Sequence, residues 1–75
     1  MAACLYKNVF IIATGRFDKD LDLWIPSADV SWQSPNGRAF HTIKFSLESF
    51  QTKEQAERFA LVAAEAWVDE QHKSI

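Results

Sequence analysis

The stretch Leu23-Trp24-Ile25-Pro26-Ser27-Ala28-Asp29-Val30-Ser31-Trp32-Gln33-Ser34-Pro35-Asn36-Gly37-Arg38-Ala39-Phe40-His41-Thr42-Ile43-Lys44 reads as two strands around one turn. Ser34-Pro35-Asn36-Gly37 is the strongest turn signal in the chain, because proline presets φ and Asn-Gly accepts positive φ. Before the turn, the even positions Trp24, Pro26, Ala28, Val30 and Trp32 form an apolar side. Ser27, Asp29 and Ser31 lie on the other side, which is the period-2 alternation of a half-buried strand. After the turn, the odd positions Ala39, His41 and Ile43 continue the apolar side, followed by Phe45 and Leu47.

The register follows from the pattern. A four-residue loop sets Gln33 opposite Arg38, Trp32 opposite Ala39, Val30 opposite His41 and Ala28 opposite Ile43. A slip of one residue sets Ala28 against Lys44 and turns Ile43 to the wrong face, so the pattern selects the first pairing. Pro26 has no N–H to give to a ladder, which predicts a bulge or an unpaired edge beside it.

Working outward, Val9-Phe10-Ile11-Ile12 is β-branched and aromatic and marks an earlier strand, over 6–17. Asp18-Lys19-Asp20 is the polar turn that follows it. The three strands are therefore expected at 6–17, 23–33 and 38–47. On the far side Thr52 is a natural N-cap, with Gln55 three residues on, as in a capping box. A helix over 53–72 follows, uninterrupted by Gly or Pro. At 100° per residue Ala56, Phe59, Ala60, Ala63 and Trp67 fall on one stripe, expected to face the sheet. Glu54, Arg58, Glu65 and Asp69 fall opposite, in water. The expectation is one α+β domain spanning 1–75: a three-stranded antiparallel meander under one C-terminal helix, in the order β-β-β-α.

Two apolar groups exceed what that core uses. Leu61, Ala64 and Val68 form a second helix stripe. Phe10, Ile12, Leu23, Ile25 and Phe40 lie on the sheet face away from the helix. The longer turn leaves the register of the first strand open, so either Phe10 with Ile12 or Val9 with Ile11 is stranded there. Exposed apolar surface of this extent marks a contact surface. The candidate interaction surface is Leu61, Ala64, Val68, Phe10, Ile12, Ile25 and Phe40.

Composition sets the bounds. With 75 residues and 48% apolar content the chain is a small globular domain whose core barely offsets its chain entropy. Three tryptophans and six phenylalanines supply bulk. One cysteine, Cys4, excludes a disulfide within the chain and fits a reducing compartment. The only early apolar run, 9–13, is too short for a membrane span, so a cytoplasmic protein that does not engage membranes is expected. The net charge of −2 exerts no global pull on nucleic acid.

Motifs that could carry chemistry are sparse. Asp18-x-Asp20-x-Asp22 alternates like a calcium loop but has Leu23 at the sixth position, where glycine is needed. A solvated turn is expected instead. Glu65, Asp69 and His72 share a helix face without a second element to complete a metal site. His41 sits on the core face far along the chain from Cys4, and no nucleophile context surrounds the serines. Neither cofactor nor metal is expected, and the chain is expected not to be an enzyme. An alternative is single-stranded nucleic-acid binding on the sheet face, with Arg16 and Lys44 on phosphates and Phe40 under a base. Asp29, in the middle of that face, opposes it.

With its helix opening in Phe50-Gln51-Thr52-x-x-Gln55-Ala56 and closing in Ala66-Trp67-Val68-Asp69, the strand-strand-strand-helix order resembles small stand-alone bacterial domains of uncharacterised families. That resemblance implies a fold and no activity. The order also resembles the sheet-helix domain of antitoxins that pair with small RNA-cleaving toxins, which implies a regulatory role. The leading expectation is a non-enzymatic interaction domain, homodimeric or bound to another protein.

Overall fold

The computed structural model describes residues 2–45 and 48–73, the last two of these by their backbone alone. Four strands, β1 (Ala2–Tyr6), β2 (Val9–Asp18), β3 (Leu23–Ser34) and β4 (Gly37–Lys44), precede one helix, α1 (Lys53–Lys73). The strands form one antiparallel sheet in the order β1-β2-β3-β4. The expected α+β class and C-terminal helix are present, but the sheet has four strands rather than three. The strand expected at 6–17 is broken at Lys7-Asn8. Both residues take left-handed φ values, 50° and 67°, as in the tight hairpin turns that match strand twist. The turn adds Ala2–Tyr6 as an edge strand. The order is therefore strand-strand-strand-strand-helix, one strand more than the pattern behind the bacterial and antitoxin resemblances.

The central hairpin has the expected register. Gln33 pairs with Arg38, Trp32 with Ala39, Val30 with His41 and Ala28 with Ile43. Gly37 takes φ 116°, and the Ser34 hydroxyl donates to its carbonyl at 2.6 Å. Beside Pro26 the ladder is interrupted. Pairing with β4 stops at Ser27–Lys44 and resumes at Trp24–Phe50, where the two residues exchange N–H···O bonds of 2.7 and 2.9 Å. The strand expected at 38–47 is β4 and ends at Lys44, and its expected extension at 46–47 lies outside the described residues. At twelve residues, β3 spans about 40 Å, which accounts for the 42 Å long axis of the molecule.

The helix covers one face. It packs chiefly on β2 and β3 and less on β1. Thr52 caps it, its Oγ1 accepting from the Gln55 N–H at 3.2 Å. The core joins Val9, Ile11 and Ala13 of β2, Ala28 and Val30 of β3, and Ala60, Ala64 and Val68 of α1. Ala56 is also fully buried. The helix stripe is therefore rotated from expectation. Ala56, Ala60, Ala64 and Val68 are the buried row, while Phe59, Ala63 and Trp67 flank it half-buried. An i, i+4 row is inclined to the helix axis and can follow a twisted sheet. A straight stripe fitted to the large aromatics misses that row. Ala64 and Val68 are thus core, and Leu61 is half-buried against the core, which corrects their placement on a second surface stripe.

Gly15, opposite Pro26, permits a close approach of helix to sheet. A Cβ there would lie 3.0 Å from the Ala56 Cβ and 3.1 Å from the Lys53 carbonyl oxygen. The absent side chain lets the first helical turn settle on β2.

Candidate interaction face of the sheet

The sheet face away from the helix is uncovered by any described element. Strand parity and register place its residues in rows. One row is Leu5 on β1, Phe10 on β2, Ser31 on β3 and Phe40 on β4. Leu5 is 69%, Phe10 38% and Phe40 76% exposed. The next row is Ala3, Ile12, Asp29 and Thr42, in which the Thr42 hydroxyl donates to Asp29 Oδ1 at 2.7 Å. Below it lie Thr14, Ser27 and Lys44, and then Arg16 with Ile25. Phe10, Ile12, Ile25 and Phe40 therefore share the uncovered face, while Val9 and Ile11 are core. The β1–β2 hairpin sets that parity by fixing which residues of β2 face the helix.

The two ends of this face differ. At one end Leu5, Phe10 and Phe40 are apolar and exposed. At the other, Thr14, Arg16, Asp18, Ile25, Ser27 and Lys44 line most of an open cleft of about 420 Å³. Arg16 and Lys44 are exposed and make no ion pair with a described residue. Arg38 extends from the same face of β4 and donates to the Ser31 hydroxyl at 3.1 Å. Neither Leu5 nor Arg38 is among the residues that the sequence alone offers for this surface. Leu5 becomes visible only once Lys7-Asn8 is read as a turn.

Residues considered for chemistry are held apart or otherwise engaged. Cys4, Ile11, Val30 and His41 form one row across the helix-side face. Cys4 and His41 thus stand at opposite edges of the sheet, three strand spacings or about 14 Å apart. Burial, with Glu65 nearby, pushes the Cys4 thiol above its usual range, so the thiolate nucleophile is disfavoured. His41 does not pack away inside. It is exposed and stacked on Trp67, with centroids 4.9 Å apart and planes at 11°. Trp67 also meets Trp32 at 5.9 Å. These three rings and that of Phe40 wall much of a second cleft, of about 370 Å³, beside the end of the helix.

Asp18 is occupied by its own turn. Its Oδ1 accepts from the N–H groups of Asp20 and Leu21 at 2.9 and 3.3 Å, and Asp22 takes a left-handed φ of 56°. Asp69 accepts from the Tyr6 hydroxyl and pairs with Lys7, and the side chain of His72 lies outside the described residues. Among the described residues no three His, Cys, Asp or Glu side chains converge on a metal-sized site, and no helix is long and apolar enough to cross a membrane. Comparison with protein-family models, curated proteins and solved structures found no match to the chain.

Proposed function

We propose that this chain is a non-enzymatic binding domain whose working surface is the uncovered face of its sheet. The observation that carries the reading is the row Leu5–Phe10–Phe40. It presents three large apolar side chains to solvent on a face that no described element covers. With Ala64 and Val68 in the core, three of the exposed large apolar side chains, Leu5, Phe10 and Phe40, share this row, while Phe17, Leu21 and Val62 are exposed elsewhere.

Self-association is one way to cover it, because Leu5 and Phe40 end the same row. Two copies packed face to face about an axis parallel to the strands lay Leu5 of each over Phe40 of the other. A homodimer is therefore the second reading. Sedimentation at micromolar concentration tests both readings when run beside Leu5→Ser and Phe40→Ser variants, with and without an added oligonucleotide. Loss of association in variants that still unfold cooperatively supports the binding face. A chain that stays monomeric and binds nothing, with or without those side chains, contradicts it.

A further inference from the structure

We infer that the occupant of this face is single-stranded nucleic acid, with bases stacked on Phe40 and Phe10 and phosphates seated at the Arg16–Lys44 cleft. The inference rests on the binding-face reading and adds the chemistry of the partner.

Three observations favour this occupant over a second copy. The first is where polarity falls. Protein interfaces deplete charge at their centre and keep a polar rim. Here Ser31, Asp29, Ser27 and Thr14 share the middle strands with Phe10, Ile12 and Ile25, so polar groups reach the centre of the face, while Leu5 and Phe40 stand at its margins. A nucleic-acid strand has donors and acceptors that can use such a middle.

The second is charge. Arg16, Arg38 and Lys44 all extend from this face, and neither Arg16 nor Lys44 is neutralised by a described carboxylate. The helix on the opposite side carries five carboxylates (Glu54, Glu57, Glu65, Asp69 and Glu70) against Lys53, Arg58 and Lys73. The small net charge of −2 thus divides unevenly, with three cations against two carboxylates on the open face and five carboxylates against three cations on the helix. The opposing groups on the open face are Asp29, already accepting from Thr42, and Asp18, turned into its own loop.

The third is spacing. Phe40 and Lys44 are four residues apart on one face of β4, about 13 Å, so a base platform and a phosphate seat lie along a single strand of the sheet. Exposed rings stack only on bases that are not already stacked in a duplex. The one described helix, the kind of element that enters a duplex groove, is on the acidic side.

The test is a fluorescence titration of the whole chain against a labelled oligothymidylate of about a dozen nucleotides, within the site sizes of single-strand binders. At low salt binding is expected. The logarithm of affinity should fall against the logarithm of salt with a slope of about −2, from three cations at about 0.7 each. Phe40→Ala should weaken binding at least about fivefold, the lower end of what one stacked base contributes. Joint Arg16→Ala and Lys44→Ala should flatten the slope by ~1.4. Arg58→Ala, on the helix, should change neither.

Absence of binding at low salt overturns the inference. So does a slope equally sensitive to Arg58→Ala, since that reports net charge rather than this face. If the oligothymidylate fails to bind while Phe40→Ser dissolves a homodimer, the binding face stands and only this occupant falls. If Phe40 substitutions leave both oligonucleotide binding and sedimentation unchanged, both proposals fall.

Discussion

The Tyr6 hydroxyl donates to both carboxylate oxygens of Asp69, at 3.0 and 3.1 Å, and so fastens the edge strand β1 to the C-terminal part of α1. Lys7 Nζ reaches the same carboxylate at 2.5 Å. The hydrogen bond to Asp69 chiefly raises the Tyr6 hydroxyl above its ordinary value of about 10. Because folding raises this affinity for the proton, the contribution is complete below the unfolded value and is lost as pH climbs through the folded one. Tyr6 is the only tyrosine, so phenolate absorbance reports it alone. The expected midpoint lies above that of the unfolded chain and falls in Asp69→Asn. An unchanged midpoint in that variant contradicts the contact.

Gly15 predicts a second outcome. A side chain there meets Ala56 and the Lys53 carbonyl, and overpacking of this kind costs about 1–3 kcal/mol. Gly15→Val should lower the denaturant midpoint accordingly. Gly15→Ala combined with Ala56→Gly should lose less than the two single changes added together, since the second removes the methyl that the first collides with.

Ala64 and Val68 distinguish a core row from a surface stripe. Val68 is fully buried among β2 and β3 side chains, so Val68→Ala should cost about 2 kcal/mol from two lost methyl groups and the space left behind. Val68→Glu should prevent cooperative unfolding altogether, because an unpaired charge would be buried. Leu61→Glu, at a half-buried flank, should fold with a lower midpoint. Equal tolerance at all three positions, read by chemical unfolding, contradicts the packing.

How far the fold was legible depended on whether a local signal was also the deciding one. Ser34-Pro35-Asn36-Gly37 with flanking alternation was sufficient for the β3–β4 register, and Thr52 for the helix start. Pro26 marked the place where the ladder breaks. The N-terminal hairpin was hidden because Lys7-Asn8 lacks the glycine that usually announces such a turn, and Ala2-Ala3-Cys4 has little strand character. The buried helix face departs from the expected stripe because small residues, Ala56, Ala60 and Ala64, make the close contact while the large aromatics lie beside it. Of the candidate surface, Ile25 and Phe40 follow from parity, whereas Phe10 and Ile12 are separated from Val9 and Ile11 only by the β1–β2 hairpin. Leu5 required the missed turn, and Arg38 required weighing charge face by face.

The account stands most directly on Phe40, whose ring is exposed and whose removal leaves the core intact. The deciding measurement is sedimentation velocity of the chain with the labelled oligothymidylate at low salt, for the parent and for Phe40→Ala, each shown to unfold at the same midpoint. The account predicts comigration of label and protein in the parent and its marked loss in the variant. Equal comigration in both, or none in either, contradicts it.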